Sequence, residues 1–310
     1  MILTVTLNPA WDVTYRTDRL VAGQSHRVRV EGQRAGGKGI NVARILAGRG
    51  VPAVALAPAG GRTGEQLAAD LDAGRVPQAL VRIAGTTRTT VAVVAPDGNG
   101  RLDATLFNEE GPTLTDAEWH ALLDEVDRLL PSASVLVCAG SLPPGLPPSA
   151  PAELVSLAAA AGRPAVVDVG GEPLLLAAAA GAAVVKPNAA ELAAALGSPS
   201  PPREGAEALR RVGADAAVVS AGEAGLVAAT PDGVWAARPV APIAGNPTGA
   251  GDAVVAALAH GLEAGLSWPA RLELAGAWAA AAVASNVAGD LDEATLDSAA
   301  AAVRLERLGD

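Results

Sequence analysis

Lysine is nearly missing from this 310-residue chain: Lys38 and Lys186 are the only two among 23 basic residues, and the other 21 are arginine. Cysteine is rarer still. The lone Cys138 excludes an internal disulfide, and with three scattered histidines it leaves no set from which a His/Cys metal cage could be built. Aromatic residues make up 2% of the chain, so its core must be close-packed from Ala, Val and Leu, which suits Ala-rich helices. Positive charge is in deficit, with a formal net charge of −10, and this argues against a nucleic-acid or anionic-membrane surface. Any phosphate bound here must therefore be held by local devices. No uncharged apolar run reaches the ~20 residues of a membrane helix. The opening M-I-L-T-V-T-L-N-P has no basic stretch followed by a long apolar one. A soluble, cytoplasmic protein is the expectation.

The scarcity of lysine, together with few Ile, Asn, Tyr and Phe, matches the imprint of a GC-rich coding sequence, in which arginine replaces lysine wherever only positive charge is needed. A lysine that persists offers what arginine does not, a compact ammonium on a slim stem, suited to a phosphate in a tight glycine-lined site. The alternative is two surface lysines left by chance.

With 310 residues the chain can form two small domains or one large α/β domain. Short β-rich runs at 2–7, 53–57, 134–139, 164–168, 182–185 and 216–220 alternate with helical patterns at 38–49, 64–73, 115–130, 149–161, 188–196 and 204–212. That rhythm predicts βαβ units and a mainly parallel sheet covered by helices on both faces. Residues 11–34 and 86–107 instead alternate polar and apolar side chains around a P-D-G-N-G turn at 96–100, which predicts antiparallel strands forming a flap. After 225 a hairpin pattern leads into three predicted helices at 250–264, 268–284 and 292–306.

Three segments carry chemistry. In N-P-T-G-A-G-D at 246–252, the small residues Gly249, Ala250 and Gly251 let the backbone approach an anion, and a helix starting there aims free N–H groups at it. Asp252 at the lip would repel a bound phosphate, so it reads as a base for a hydroxyl attacking that phosphate. A Gly-rich turn with Asp as an ordinary helix cap is the structural alternative. The segment is not a Walker A loop, because no G-K-[ST] occurs, and it lacks the third glycine of a dinucleotide fingerprint.

In A-G-G-K-G-I-N-V-A at 35–43, Gly36 and Gly37 open a helix with Lys38 in its first turn and Asn41 one turn on. Amide and peptide groups there can bind sugar hydroxyls, and Lys38 can meet an anion. Upstream, Asp12 follows the first strand, where α/β ligands bind, and is a bidentate acceptor for two hydroxyls. Asn8 and Asp12 can equally shape a turn at Pro9. Arg27 and Arg88 lie in the flap segments, within reach of a substrate phosphate or merely exposed. In K-P-N-A-A-E at 186–191, Asn188 and Glu191 share one helical face and can organise waters around Mg²⁺, or act as N-cap and capping-box partner. S-A-G-E-A-G at 220–225 can touch a triphosphate through Ser220 and Gly222, or be a turn.

In order, T-L-N-P-A-W-D, G-G-K-G-I-N-V-A-R, T-R at 87–88, N-E-E-G-P at 108–112, A-G-S-L-P-P-G at 139–145, V-K-P-N-A-A-E-L, S-A-G-E-A-G and G-A-G-D resemble the PfkB-type branch of the ribokinase superfamily. Within it the chain is most similar to the 1-phosphofructokinase and tagatose-6-phosphate kinase groups. The resemblance implies a ribokinase-like three-layer α/β sandwich with a sheet of roughly nine strands, helices on both faces and a small β-sheet lid. It implies one kinase domain over 1–310, with lid strands from about 11–35 and 86–110, a homodimer through the lid, and ATP, Mg²⁺ and optionally K⁺ as cofactors.

By the same resemblance Asp252 is the base and Gly249, Ala250 and Gly251 form the anion hole. Asp12, Gly36, Gly37 and Asn41 hold the sugar, with Asn108 and Ser141 beside it, and Lys38, Arg27 and Arg88 hold its existing phosphate. Lys186, Asn188, Glu191, Ser220, Gly222, Gly225 and Thr248 face the nucleotide, with Asn188 and Glu191 reaching Mg²⁺ through water, and 275–286, ending at Asn286, flanks adenine. Fructose 1-phosphate is the expected substrate; tagatose 6-phosphate, an unphosphorylated sugar, a cyclitol or a nucleoside are alternatives, and a non-catalytic sugar-binding regulator is the remote one.

Three departures stand out. Thr90 and Ala92 occupy places where phosphosugar kinases carry Asn and Lys. D-V-G-G-E at 168–172 replaces a more hydroxyl-rich D-[ST]-S-G-E, and S-N-V-A-G-D at 285–290 alters the adenine segment.

Overall fold

The computed structural model describes residues 1–96, 102–241, 245, 248–285, 287–299 and 303–309. Most of the turn expected at 96–100, together with Asn246, Pro247 and Asn286, lies outside them. The chain opens β1 (Ile2–Val5), β2 (Ala10–Arg16), β3 (Arg29–Gly36), α1 (Lys38–Gly48), β4 (Ala53–Ala59), α2 (Gly61–Ala73), β5 (Gln78–Arg82), β6 (Arg88–Pro96) and β7 (Leu102–Asn108). Its middle runs α3 (Asp116–Leu129), β8 (Val135–Ala139), α4 (Ala150–Ala160), β9 (Ala165–Asp168), α5 (Glu172–Ala179), β10 (Val184–Val185), α6 (Ala189–Leu196), α7 (Pro202–Val212) and β11 (Ala216–Ser220). It closes with β12 (Leu226–Thr230), β13 (Gly233–Pro239), α8 (Ala250–Glu263), α9 (Trp268–Ala284), α10 (Glu293–Ala299) and β14 (Val303–Leu308).

Ten strands form the main sheet in the order β14-β13-β12-β11-β10-β9-β8-β1-β4-β5. From β11 to β5 every pairing is parallel, and β12, β13 and β14 add an antiparallel edge. Successive residues of one strand feed opposite cores: Val135 and Val137 join Val218 and helices α8 and α9 on one face, while Leu136 and Cys138 join Val219 and helices α3, α4, α5 and α7 on the other. Strands buried on both faces read as unbroken Val/Leu/Ala runs, which is why the sequence pattern locates them. Cys138 is a free thiol in that interior, pushed up to about 12 by burial and by the Asp168 carboxylate.

The second sheet, β3-β2-β6-β7, is the lid. Its outer pairs are antiparallel, but the central β2–β6 pair is parallel, contrary to the all-antiparallel flap expected from alternation. Alternation reports a half-buried strand and not its direction. Trp11 and Val13 of β2 pack the back of the lid against Ile40, Leu67 and Leu71.

The long helix predicted over 292–306 is instead α10 followed by β14. V-R-L-E-R-L has strand alternation: Val303 and Leu305 turn to the core, while Glu306 meets Arg238 on the neighbouring strand at 3.2 Å. Strand β5 and helix α5 were not predicted at all. The first is only five residues long, and the second, E-P-L-L-L-A-A-A, is too uniformly apolar to show a helical period. Among the described residues no helix is long and apolar enough to cross a membrane.

Candidate active site

A cleft of about 1870 Å³ opens where the parallel strands end, between the main sheet and the lid. Its wall is built by residues at or just beyond the carboxyl ends of β1 (Asn8), β8 (Ser141), β9 (Asp168), β10 (Lys186, Asn188) and β11 (Ser220), the edge of an α/β sheet at which ligands bind.

On its floor lies the start of α8. Gly249 is the N-cap with φ 90°, a left-handed conformation that glycine adopts without strain, and it turns the chain so that residues 249–252 line the cleft. The first intrahelical bond joins the Ala253 amide to the Gly249 carbonyl at 3.0 Å. The amides before it have no intrahelical partner, and with the helix dipole they can receive an anion. Asp252 stands one turn in, 6% exposed, and accepts a 2.8 Å hydrogen bond from Asn41 Nδ2. Burial pushes its carboxyl up to about 7; Asp168 adds to the rise, and Asn41, Lys38 and Lys186 oppose it. A group that half-ionises near neutrality can take a hydroxyl proton.

Both lysines converge on this floor. Lys38 Nζ lies 2.9 Å from Glu191 Oε1 and 3.3 Å from Asp168 Oδ1, and Lys186 Nζ lies 3.4 Å from that same Asp168 oxygen. Burial alone would lower Lys38, but Asp168 and Glu191 outweigh it and hold the ammonium above its ordinary range. Burial would raise Glu191, yet Lys38, the Asn188 amide and Lys186 keep it below the usual carboxylate value. A cationic Lys38 and an ionised Glu191 follow.

The lid supplies the opposite wall. Asp12 on β2 is hydrogen-bonded by the Thr90 hydroxyl of β6 and is raised by burial, against the pull of Thr90, Arg88 and Arg34. A side chain at Gly36 would overlap the Asp12 carboxylate, so glycine there clears its place. Arg88 donates to the carbonyls of Asn8 (3.2 Å) and Glu109 (3.0 Å), tying the lid to the end of β1. Asn8 donates to the Glu110 carbonyl (2.9 Å) and to Ser141 Oγ (3.2 Å) and shapes the wall in that way. Asn108 lines the cleft from β7.

The third side is formed by the start of α6 and the turn after β11. Asn188 caps α6 and, with Glu191, forms the capping box that the spacing predicts: Asn188 Oδ1 accepts from the Glu191 amide (2.8 Å), and Glu191 Oε2 from the Asn188 amide (2.9 Å). Ser220, Gly222, Gly225 and Thr248 line the cleft beside them, as do small residues of α9 (Gly276, Ala279, Ala280) together with Leu226 and Ala237. Among the described residues no three His, Cys, Asp or Glu side chains gather as a metal cage. A single carboxylate with a spare lone pair, Glu191, fits Mg²⁺ that keeps its water shell and takes its other oxygens from phosphate.

The structure brings together Asp12, Gly37, Lys38, Asn41, Arg88, Asn108, Ser141, Lys186, Asn188, Ser220, Gly222, Gly225, Thr248 and Gly249 to Asp252 around one cleft. Arg27 is not among them; it is exposed in the loop before β3. Lys38, expected at a sugar phosphate, faces Asp168 and Glu191 rather than the lid. Asp168 was passed over as a site residue, although P-A-V-V-D, a carboxylate closing an apolar strand, was its signal.

The model of the pfkB family of carbohydrate kinases matches residues 6–294. Among solved structures, phosphofructokinase-2 from Escherichia coli in complex with fructose-6-phosphate is 31% identical and superposes with a TM-score of 0.86, covering 97% of this chain and 98% of that chain. The same enzyme in complex with potassium gives 30% identity and a TM-score of 0.88 over 97% and 98% of the two chains. A protein described as a "possible 1-phosphofructokinase" from Thermotoga maritima is 28% identical, with a TM-score of 0.87 over 100% of both chains.

Proposed function

This chain belongs to the pfkB family of carbohydrate kinases, and from that premise we propose that it moves the γ-phosphoryl group of ATP onto fructose 1-phosphate, giving fructose 1,6-bisphosphate. The observation that carries the reading is Asp252, buried at the mouth of a helix N-terminus with its carboxyl poised at about 7. The acceptor hydroxyl sits between Asp12 and Asp252. Asp252 takes its proton as the oxygen attacks phosphorus in line, the bond to the bridging oxygen of ADP breaks, and the amides of 249–251 meet the charge on the transferred group. Asn188 and Glu191 are the residues that would hold Mg²⁺ through water, and the ion would supply charge neutralisation to the phosphates. Lid closure excludes water from the transfer.

Arg88 and Asn108, on the neighbouring lid strands β6 and β7 that line the cleft, support a phosphorylated acceptor. A second reading, an unphosphorylated sugar or nucleoside, is favoured by Thr90, whose hydroxyl is tied to Asp12, and by Ala92, which adds no charge to the lid. Tagatose 6-phosphate remains the third. ADP release over fructose 1-phosphate, fructose 6-phosphate, tagatose 6-phosphate, free hexoses and nucleosides separates them; turnover restricted to unphosphorylated acceptors sinks the first reading, and none at all leaves the sugar-binding regulator. Repeating the assay with K⁺ replaced by Na⁺ tests the monovalent ion.

The reading treats 1–310 as one cytoplasmic kinase domain that pairs with a second copy through its lid. Val28, Val30, Leu102, Leu106 and Phe107, all exposed apolar side chains on or beside the lid, support that pairing. Light scattering of Leu106→Asp against wild type checks it, with a monomer as the expected product.

A further inference from the structure

Lys186 is 2% exposed, and an ammonium buried to that degree costs several kcal/mol unless it is paired. Among the described residues its ion-pair partner is Asp168, itself 0% exposed. Asp168 serves both lysines with one oxygen, Oδ1, while its Oδ2 is buried without a hydrogen-bond partner. A carboxylate that only stabilised the fold would be expected to spread its bonds over both oxygens. This one instead gathers two ammoniums within two hydrogen-bond lengths of each other. Their common direction is the anion site: a Cβ built on Gly251 would stand 3.6 Å from Lys186 Nζ, so the missing side chain leaves that ammonium open to the amides of α8. Lys38, at the start of α1, joins Lys186 there through the Asp168 Oδ1 that both ammoniums share, and both lysines act on the Asp252 carboxyl.

We propose that Asp168 is a positioning residue for phosphoryl transfer, its single oxygen setting Lys38 and Lys186 side by side so that the transferred group is received by a paired cation. The inference rests on the kinase reading above. It moves Lys38 from the acceptor's existing phosphate to the phosphate in transit. The two neighbouring ammoniums hold the group as charge shifts between its oxygens, which preorganised cations do at no reorganisation cost. The pair is assembled before any ligand arrives, because the carboxylate already neutralises part of the mutual repulsion.

The test uses Asp168→Asn, Lys38→Met and the double variant, each assayed for kcat and KM on every acceptor that wild type turns over, with Mg²⁺ varied and ADP affinity measured by calorimetry. Asp168→Asn and Lys38→Met should each lower kcat about 100-fold, with acceptor KM changed less than about 3-fold and ADP bound as before. The double variant should lose clearly less than the product of the two single losses, since Asp168 acts in part through Lys38 and in part through Lys186. Multiplying losses, or activity restored simply by raising Mg²⁺, would overturn the proposal, the latter by making Asp168 a metal holder. Should Asp168→Asn not fold, Lys38→Met decides alone: a KM rise confined to phosphorylated acceptors returns Lys38 to the substrate phosphate and refutes the pair. Wild type idle on every sugar sinks the kinase reading instead, whereas an active wild type with unimpaired variants sinks only the pair.

Discussion

The floor of the cleft and the lid above it treat charge in opposite ways. On the floor Asp168, Lys186 and Asp252 are each less than a tenth exposed, and they are held by one another and by Asn41. On the lid the charged groups that line the cleft are less deeply buried and partly committed: Arg88 donates to backbone carbonyls and Asp12 accepts from the Thr90 hydroxyl. Fixed, desolvated charge suits a reaction whose demands are the same for every acceptor. A thin set of hydrogen-bonding groups on a small sheet suits a choice of acceptor that two or three residues can alter. Reaction type and substrate identity are thus written in different parts of the molecule.

The sharpest way to break this contrast is Asp252→Asn. Turnover should fall about 10³-fold or more while nucleotide and acceptor still bind, as measured by calorimetry beside steady-state kinetics; a variant near wild-type speed would remove the base from the floor. Next in size is the pH dependence. Transfer needs the ionised carboxylate, and with Asp252 at about 7 the rate should fall roughly tenfold per unit of pH below that value. A kcat/KM profile flat from pH 5 to 8 contradicts it.

On the lid, Ala92→Lys puts an ammonium on the cleft side of β6, two residues beyond Thr90. It should lower KM for phosphorylated acceptors about tenfold, the worth of one charged hydrogen bond, and leave free sugars unchanged. Equal effects on both would show that this face of the lid does not meet the substrate phosphate. The smallest effect is on stability. A carboxyl raised in the folded state is tolerated while protonated and becomes a burden as pH climbs from about 4 through 7. Asp252→Asn should therefore melt a few degrees higher than wild type at pH 8 and level with it near pH 4, by scanning calorimetry.

Much of this was readable in the chain. Val- and Ala-rich strands buried on both faces, the Gly-Ala-Gly-Asp turn and the Asn188–Glu191 box all announce themselves locally, because each is decided by residues within one turn or one strand. The failures are equally physical. Period alone carries a helix on to residue 306, into what is the strand Val303–Leu308, and that strand exists only because β13 offers an edge to pair with. Spacing put Lys38 and Asn41 on one face of α1, but it could not say that Asn41 would find Asp252 or that Lys38 would find Asp168 and Glu191, partners well over a hundred residues away. Direction across a cleft is a tertiary property.

Cys138 has a practical consequence. The chain's one thiol is 1% exposed and, with its pKa near 12, stays protonated and unreactive at neutral pH. The native protein is already a silent background for labelling: a single cysteine introduced at Leu102 or Leu106 would take a fluorophore alone, and its emission would follow the lid as sugar and nucleotide are added.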